Sequence, residues 1–183
     1  IEETKFRQKY GFVHPYLVYP SALRYYKNHY RLIEAFINFR NHSEGYASKL
    51  LLVLTDHPQP QLYPEHNDLW NLLPKCADEK VSQSIIFRNR FPAEEMPALY
   101  RYAVGTIVPT LFEGSCPFPI LESLIVGTPV AFSDIPVVWE VIPRQEWMIA
   151  FNPYSVGEIE QAMWQLWKKR HNLASQQRDT MPT

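Results

Sequence analysis

Two carboxylates, Glu113 and Glu122, bracket a short loop and the first turns of an apolar segment within Phe112 to Ser133, FEGSCPFPILESLIVGTPVAFS. Gly114 follows Glu113 directly, Pro119 marks the entry to a helix over Pro119 to Val126, and Gly127 stands just past its end. Its body (Ile120, Leu121, Leu124, Ile125, Val126) is apolar nearly all round, which predicts a buried helix. A carboxylate such as Glu122 on a buried helix is costly unless hydrogen-bond donors meet it. Two kinds of donor would serve. One is structural, an internal N–H or a basic side chain; the other is a pair of ligand hydroxyls. The helix N-terminus beside it is a natural anion site, because its free N–H groups and its dipole both favour negative charge.

The elements that must position these groups alternate along the chain. Apolar runs at Tyr16 to Pro20, Lys49 to Thr55, Ser84 to Asn89, Gly105 to Thr110, Pro129 to Ser133 and Trp147 to Phe151 read as strands. Helical spacing appears over Lys27 to Arg40, with Leu32, Ala35, Phe36 and Phe39 on one face, and over Glu94 to Ala103. A further helix is expected at Asp68 to Cys76. The last helix spans Ser155 to His171, opened by a Ser155–Glu158 capping box and striped with Ile159, Met163, Leu166 and Trp167. Strands alternating with helices imply a Rossmann-like three-layer α/β/α domain with a parallel sheet. Such sheets bind ligands at the carboxyl ends of their strands. The domain is read as residues 16–171, preceded by an extension or linker at 1–15 and followed by a frayed polar tail at 172–183.

Bulk properties exclude several classes. The chain has 183 residues, 46% hydrophobic and 20% charged, an ordinary globular balance. Its net charge of −1 lacks the basic excess of a nucleic-acid binder. No apolar stretch is long enough to span a bilayer, and no signal-peptide pattern is present. Cys76 and Cys116 form neither a disulfide framework nor a zinc motif, so a reducing compartment is the default. The start at Ile1, without an initiator Met, suggests a fragment.

The EG–loop–PILESLIVGTPV segment resembles the signature of retaining glycosyltransferases with two Rossmann-like domains, the GT-B fold, in glycosyltransferase family 4 or "group 1". The resemblance implies that Glu113 lies near the transferred sugar and that Glu122 binds the ribose hydroxyls. Eight residues separate the two glutamates here, where the family usually has seven, and Ser115-Cys116-Pro117-Phe118-Pro119 replaces a glycine-rich loop. Proline has no N–H. Phosphate or sugar contacts therefore fall to Gly114, Ser115, Cys116, Phe118, Ile120 or Leu121.

Tyr19 to Phe36, YPSALRYYKNHYRLIEAF, resembles the family segment that places a lysine at a helix start. The diphosphate leaving group gains negative charge as the glycosidic bond breaks, and a positioned lysine stabilises it. Lys27 takes that role by resemblance. Ser21 stands where many members have arginine, and Arg24 is the nearest substitute. His14 and His29 read as capping or surface residues. Ser84 to Ala103 resembles the strand and helix that border the nucleobase. Phe87 to Arg90 would line that site, with Arg88 either touching base or phosphate or facing solvent, and Arg90 facing solvent. Asp134 to Pro153 resembles the family's closing stretch and bears on fold alone.

The implied reaction moves a sugar from a nucleoside-diphosphate donor to an acceptor hydroxyl with retained anomeric configuration and no metal or other cofactor. The Tyr-Pro…Lys-Asn-His variant tilts the donor toward a GDP-sugar such as GDP-mannose. A glycan or lipid-linked acceptor would bind an N-terminal domain ahead of Ile1, so the chain alone is expected to bind donor without turning it over. The setting implied is cytoplasmic polysaccharide synthesis, with peripheral attachment to the inner membrane in the full-length enzyme. Two other readings stand beside this one. A sugar-nucleotide epimerase shares the architecture. A non-catalytic nucleotide- or protein-binding module would use exposed aromatics such as Tyr25, Tyr26, Tyr30 and Trp70.

Overall fold

The computed structural model describes residues 1–59, 61–64, 71 and 79–180. The helix expected over Asp68 to Cys76 lies, apart from Asn71, outside the described residues. Six short strands follow the six apolar runs: β1 (Tyr16–Tyr19), β2 (Leu51–Leu54), β3 (Ile85–Phe87), β4 (Gly105–Val108), β5 (Val130–Ser133) and β6 (Ile149–Phe151). They form one all-parallel sheet in the order β3-β2-β1-β4-β5-β6. Tyr16 to Tyr19 run in register with Leu51 to Leu54 on one side, and Leu17 and Val18 meet Gly105 and Thr106 on the other.

The strands are largely buried and mostly apolar, with Thr106 and Ser133 as polar exceptions, because both sheet faces are covered. Alternate residues divide between two cores. Leu17, Tyr19, Leu52 and Leu54 pack with helix α2 (His29–Asn41) and with α8 (Val156–Arg178), the last helix. Tyr16, Val18, Leu51 and Val53 pack with Phe6 and Phe12 and with α5 (Met96–Arg101). The shorter helices are α3 (Ser43–Ala47), α4 (Glu79–Ser82), α6 (Phe118–Val126) and α7 (Pro136–Trp139), with α6 the longest of the four. Gly105 is needed where α8 crosses β4, because a Cβ there would come within 2.9 Å of Leu166 Cδ2.

The chain termini differ most from the sequence reading. Residues 1–15 do not run as a bare linker. Glu3–Tyr10 forms helix α1, capped by the Glu2 carboxylate at its start and by left-handed Gly11 at its end. Phe6 is fully buried among Tyr10, Phe12, Phe91 and Tyr102. The Arg7 guanidinium donates to the carbonyls of His14 and Tyr102, both at 3.1 Å. At the other end α8 runs on to Arg178, past the expected stop at His171. Leu173 and Gln177 are buried, and a polar glutamine hides the inward face from a hydrophobicity pattern. Gln177 Oε1 accepts from Val130 N–H at 2.8 Å, and its Nε2 donates to the carbonyls of Val130 (3.1 Å) and Trp147 (3.2 Å). The amide thus ties the leading edges of β5 and β6 to the last turns of α8.

Removing that amide strands a buried N–H and two carbonyls. Gln177→Ala is expected to lower unfolding stability by about 2–3 kcal/mol in urea denaturation. The neighbouring exposed Gln176→Ala should change it little. Equal effects from both would deny the Gln177 amide its structural role.

Candidate functional site

The chain lays down β1, β2 and β3 in one direction, then returns to the other side of β1 for β4, β5 and β6. The switch point of the sheet therefore lies between the loops that follow β1 and β4, at their carboxyl ends. The first loop is short and tightly fixed. Ser21 N–H donates to Thr55 Oγ1 at 3.1 Å, and Leu23 N–H donates to an Asp56 carboxylate oxygen at 2.8 Å. Tyr25–Lys27 then forms a single 3-10 turn, and Asn28 adopts a left-handed conformation with φ of 64°. Helix α2 consequently starts at His29, two residues later than the periodicity predicts, and Lys27 sits on the turn before it. His29 is not a surface residue. The turn at Asn28 points its ring inward, where it is buried and lies 4.9 Å from the Tyr19 ring.

The second loop comes to meet this turn. Leu111 N–H donates to the Tyr26 carbonyl at 2.7 Å, and the Tyr26 and Phe112 rings are 4.9 Å apart. Across this junction the Lys27 ammonium forms a hydrogen-bonded ion pair with Glu113 Oε1. The same oxygen lies 2.9 Å from the Thr110 hydroxyl, and the Lys27 ammonium lies over the Tyr26 ring, 5.2 Å from its centroid. Both charged side chains are mostly shielded, 21% and 15% exposed. The two residues assigned to the reacting centre are thus brought together at the switch point of the sheet.

Glu113 leads into Gly114, Ser115, Cys116 and Phe118 ahead of α6. Gly114, Ser115 and Phe118 are exposed. Among the described residues, the N–H groups of Gly114, Ser115, Cys116 and Phe118 meet no hydrogen-bond acceptor. Ile120 N–H is already used, donating to the Pro117 carbonyl at 3.0 Å. The free N–H groups cluster at the start of a nine-residue helix, an arrangement suited to an anion. Burial pushes the Cys116 thiol up to about 11, so it stays protonated at neutral pH and is no nucleophile.

Helix α6 is not buried all round. Ile120, Ser123 and Leu124 face the core, while Glu122 and Ile125 point out, Ile125 being 72% exposed. An inward face this narrow suffices because Ser123 binds the sheet through oxygen: its hydroxyl lies 2.8 Å from Thr106 Oγ1. Glu122 is accordingly exposed. Its partner is neither a backbone N–H nor a basic group but the Tyr100 hydroxyl, which donates to Oε2. Burial, then the Glu122 carboxylate, raise the Tyr100 phenol well above its ordinary range, so it remains a donor.

The two arginines stay outside the Lys27–Glu113 cluster. Arg24 donates to the Leu23 carbonyl at 2.7 Å and lies over the Tyr63 ring, 4.5 Å from its centroid. Arg88 is exposed and donates to the Tyr10 carbonyl at 2.7 Å, so the end of α1 occupies its head group. Arg90 is exposed as expected. Motif reading includes Asn28 in Lys-Asn-His but gives it no role of its own, and it passes over Thr110. The signal for Asn28 was its type: asparagine next to Lys27, at a position where the chain turns.

A doubly wound parallel sheet, with a cation–carboxylate pair and unpaired N–H groups at its switch point, defines a Rossmann-like domain. Its fold is that of GT-B glycosyltransferases. The model of the family "Glycosyl transferases group 1" matches residues 2–180, and the chain belongs to that family. No curated protein sequence matches the chain. Among solved structures it is similar to a UDP-forming α,α-trehalose-phosphate synthase from Burkholderia xenovorans in complex with glucose-6-phosphate, at 13% identity and a TM-score of 0.78, over 98% of this chain and 42% of that one. It is similar to the Burkholderia vietnamiensis enzyme at 12% identity and a TM-score of 0.78, over 98% and 43%. A third similar structure is the E. coli protein bound with UDP-2-fluoro glucose, at 13% identity and a TM-score of 0.73, over 96% and 42%. The chain thus spans less than half the length of these structures. Among the described residues no helix is long and apolar enough to cross a membrane.

The Cys116 environment is open to a direct test. With Cys76 replaced by Ser, alkylation of the folded chain should be slow at pH 8 and rise with a midpoint near 11, where an unfolded thiol titrates near 9.0. The sign follows from burial: the protonated form is favoured in the folded state, so the associated stability is intact below pH 9.0 and is lost as pH rises through 11. A midpoint at or below 9.0 would place the thiol in water.

Proposed function

We propose that this chain holds the nucleoside-diphosphate sugar donor of a retaining glycosyltransferase, whose full-length form transfers the sugar to an acceptor hydroxyl in glycan or polysaccharide synthesis. The observation that carries the reading is the Lys27–Glu113 pair, set at the sheet's switch point beside the unbonded N–H groups of Gly114, Ser115, Cys116 and Phe118. The diphosphate sits between the Lys27 ammonium and the start of α6. As the glycosidic bond breaks, charge grows on the leaving phosphate, and the ammonium and N–H dipoles stabilise it most in the transition state. No metal is required for this, because the chain supplies the positive charge itself. Lys27 must shift its partnership from Glu113 to phosphate as the donor enters. Glu113, still held by Thr110, is then left beside the anomeric carbon. Glu122, exposed and oriented by Tyr100, is available to the ribose hydroxyls.

For the base, the Tyr19-Pro20…Lys27-Asn28-His29 segment favours guanine and a GDP-sugar such as GDP-mannose. A uracil reading is favoured by the structural neighbours, which are named as UDP-forming or bound to a UDP-sugar. Calorimetric titration with GDP, UDP and ADP decides between them and tests the whole proposal. One diphosphate should bind selectively. Lys27→Ala and Glu122→Ala should each weaken it roughly tenfold or more, as loss of a charge-assisted bond does. Failure of all three to bind, in a chain with intact secondary structure, would falsify the donor site.

A further inference from the structure

We infer that Asn28 is the positioning residue that aims the Lys27 ammonium at Glu113 across the switch point; its consequence for ligand binding rests on the donor-site reading above. Only two non-glycine residues among those described have positive φ, Asn28 at 64° and Lys49 at 54°. The side chain of Asn28 is engaged on every side. Its Nδ2 donates one hydrogen to the Pro109 carbonyl at 2.8 Å and the other to the Pro153 carbonyl at 2.7 Å. Its Oδ1 accepts from the Arg31 guanidinium at 3.1 Å. The residue is 2% exposed, so these bonds form out of water, where an unmet amide is costly.

These contacts join three loops at one residue. Pro109 follows β4 and leads to Thr110 and Glu113. Pro153 follows β6 and precedes the Ser155 cap of α8. Asn28 N–H donates to the Tyr25 carbonyl and its own carbonyl accepts from Leu32 N–H, so the same residue closes the 3-10 turn and opens α2. Lys27 is therefore pinned from both neighbours: Tyr26 through its carbonyl to Leu111 N–H, and Asn28 through its amide to Pro109. With the backbone fixed on either side, the lysine side chain leaves the turn toward Glu113 rather than toward solvent.

Few side chains satisfy the position. Glycine accepts the left-handed conformation but provides no amide. Alanine provides neither. Aspartate tolerates the backbone but sets a carboxylate against two carbonyl oxygens. Asparagine combines tolerance of positive φ with two donors on one short arm.

The test compares the wild-type chain with Asn28→Gly and Asn28→Asp, alone and in a Lys27→Ala background. Without ligand, lysines are reductively methylated with 13C-formaldehyde, and the Lys27 resonance is identified by its absence in Lys27→Ala. In wild type it should lie apart from those of exposed lysines and shift when Glu113 is replaced by Gln. In Asn28→Gly and Asn28→Asp it should move to the exposed-lysine position and no longer respond to Glu113→Gln. With ligand, Asn28→Asp should bind GDP or UDP roughly tenfold less tightly, leave binding of the bare nucleoside unchanged, and add no further loss to Lys27→Ala. An unmoved Lys27 resonance in both variants overturns the inference. So does a loss that adds to that of Lys27→Ala, or that falls equally on nucleoside and diphosphate. If the wild-type chain binds no diphosphate, the donor reading fails, and the resonance alone decides the role of Asn28. Should Asn28→Asp not fold, Asn28→Gly decides it, since it keeps the turn and removes only the amide.

Discussion

A parallel strand buried on both faces must be covered twice, and this constraint organises the whole chain. Tyr16, Val18, Leu51 and Val53 need one apolar layer, Leu17, Tyr19, Leu52 and Leu54 another. Each strand must then be followed by a segment that climbs over one face and returns to the same edge. All ligand-facing loops therefore emerge at the carboxyl edge. When the chain changes direction across the sheet after β3, the loops that follow β1 and β4 become neighbours at the switch point. Lys27 and Glu113 are 86 residues apart in sequence and meet only because β1 and β4 are neighbours.

The amino-terminal helix answers the same need. The β1–β2–β3 side of the sheet has a face that α5 alone does not cover. Phe6, Tyr10 and Phe12 fill that gap with Phe91 and Tyr102. The far end of α8 completes the opposite edge with an amide in place of an apolar side chain. In both places the covering layer extends beyond the stretch where hydrophobic period is strongest.

Much of this was legible in the sequence. The six strands, their parallel sense and the inward stripe of α8 follow from apolar runs, the alternation of strand and helix, and helical spacing, signals repeated over many residues. Glu113 and Lys27 were legible as types placed just after strands. What was not legible depended on single residues or on direction. Glu122 was assigned to a buried helix because five apolar neighbours outweigh one charge in any pattern, yet the Ser123–Thr106 contact lets α6 dock by a narrow face. Arg88 follows its strand as expected, but α1 claims its head group, and nothing near Arg88 in sequence announces that. The Ser155–Glu158 capping box is half formed. Ser155 accepts from Glu158 N–H at 3.2 Å, but the Glu158 carboxylate turns to Asn152 N–H at 2.8 Å. Ser155 N–H instead donates to the Asn152 carbonyl in the turn after β6.

The ion pair between Lys27 and Glu113 has a kinetic meaning. The switch point presents a neutral couple, not a bare ammonium, on a chain whose formal net charge is only −1. On the donor-site reading, encounter with the ligand would then depend little on ionic strength. A small inorganic anion that reaches the lysine must displace a carboxylate already held by Thr110, and it brings few other contacts to offset that loss. A larger ligand that also engages the α6 N–H groups and Glu122 can complete the exchange. On the donor-site reading, the closed couple would act as a filter that favours a guest long enough to reach several anchors at once over a simple anion.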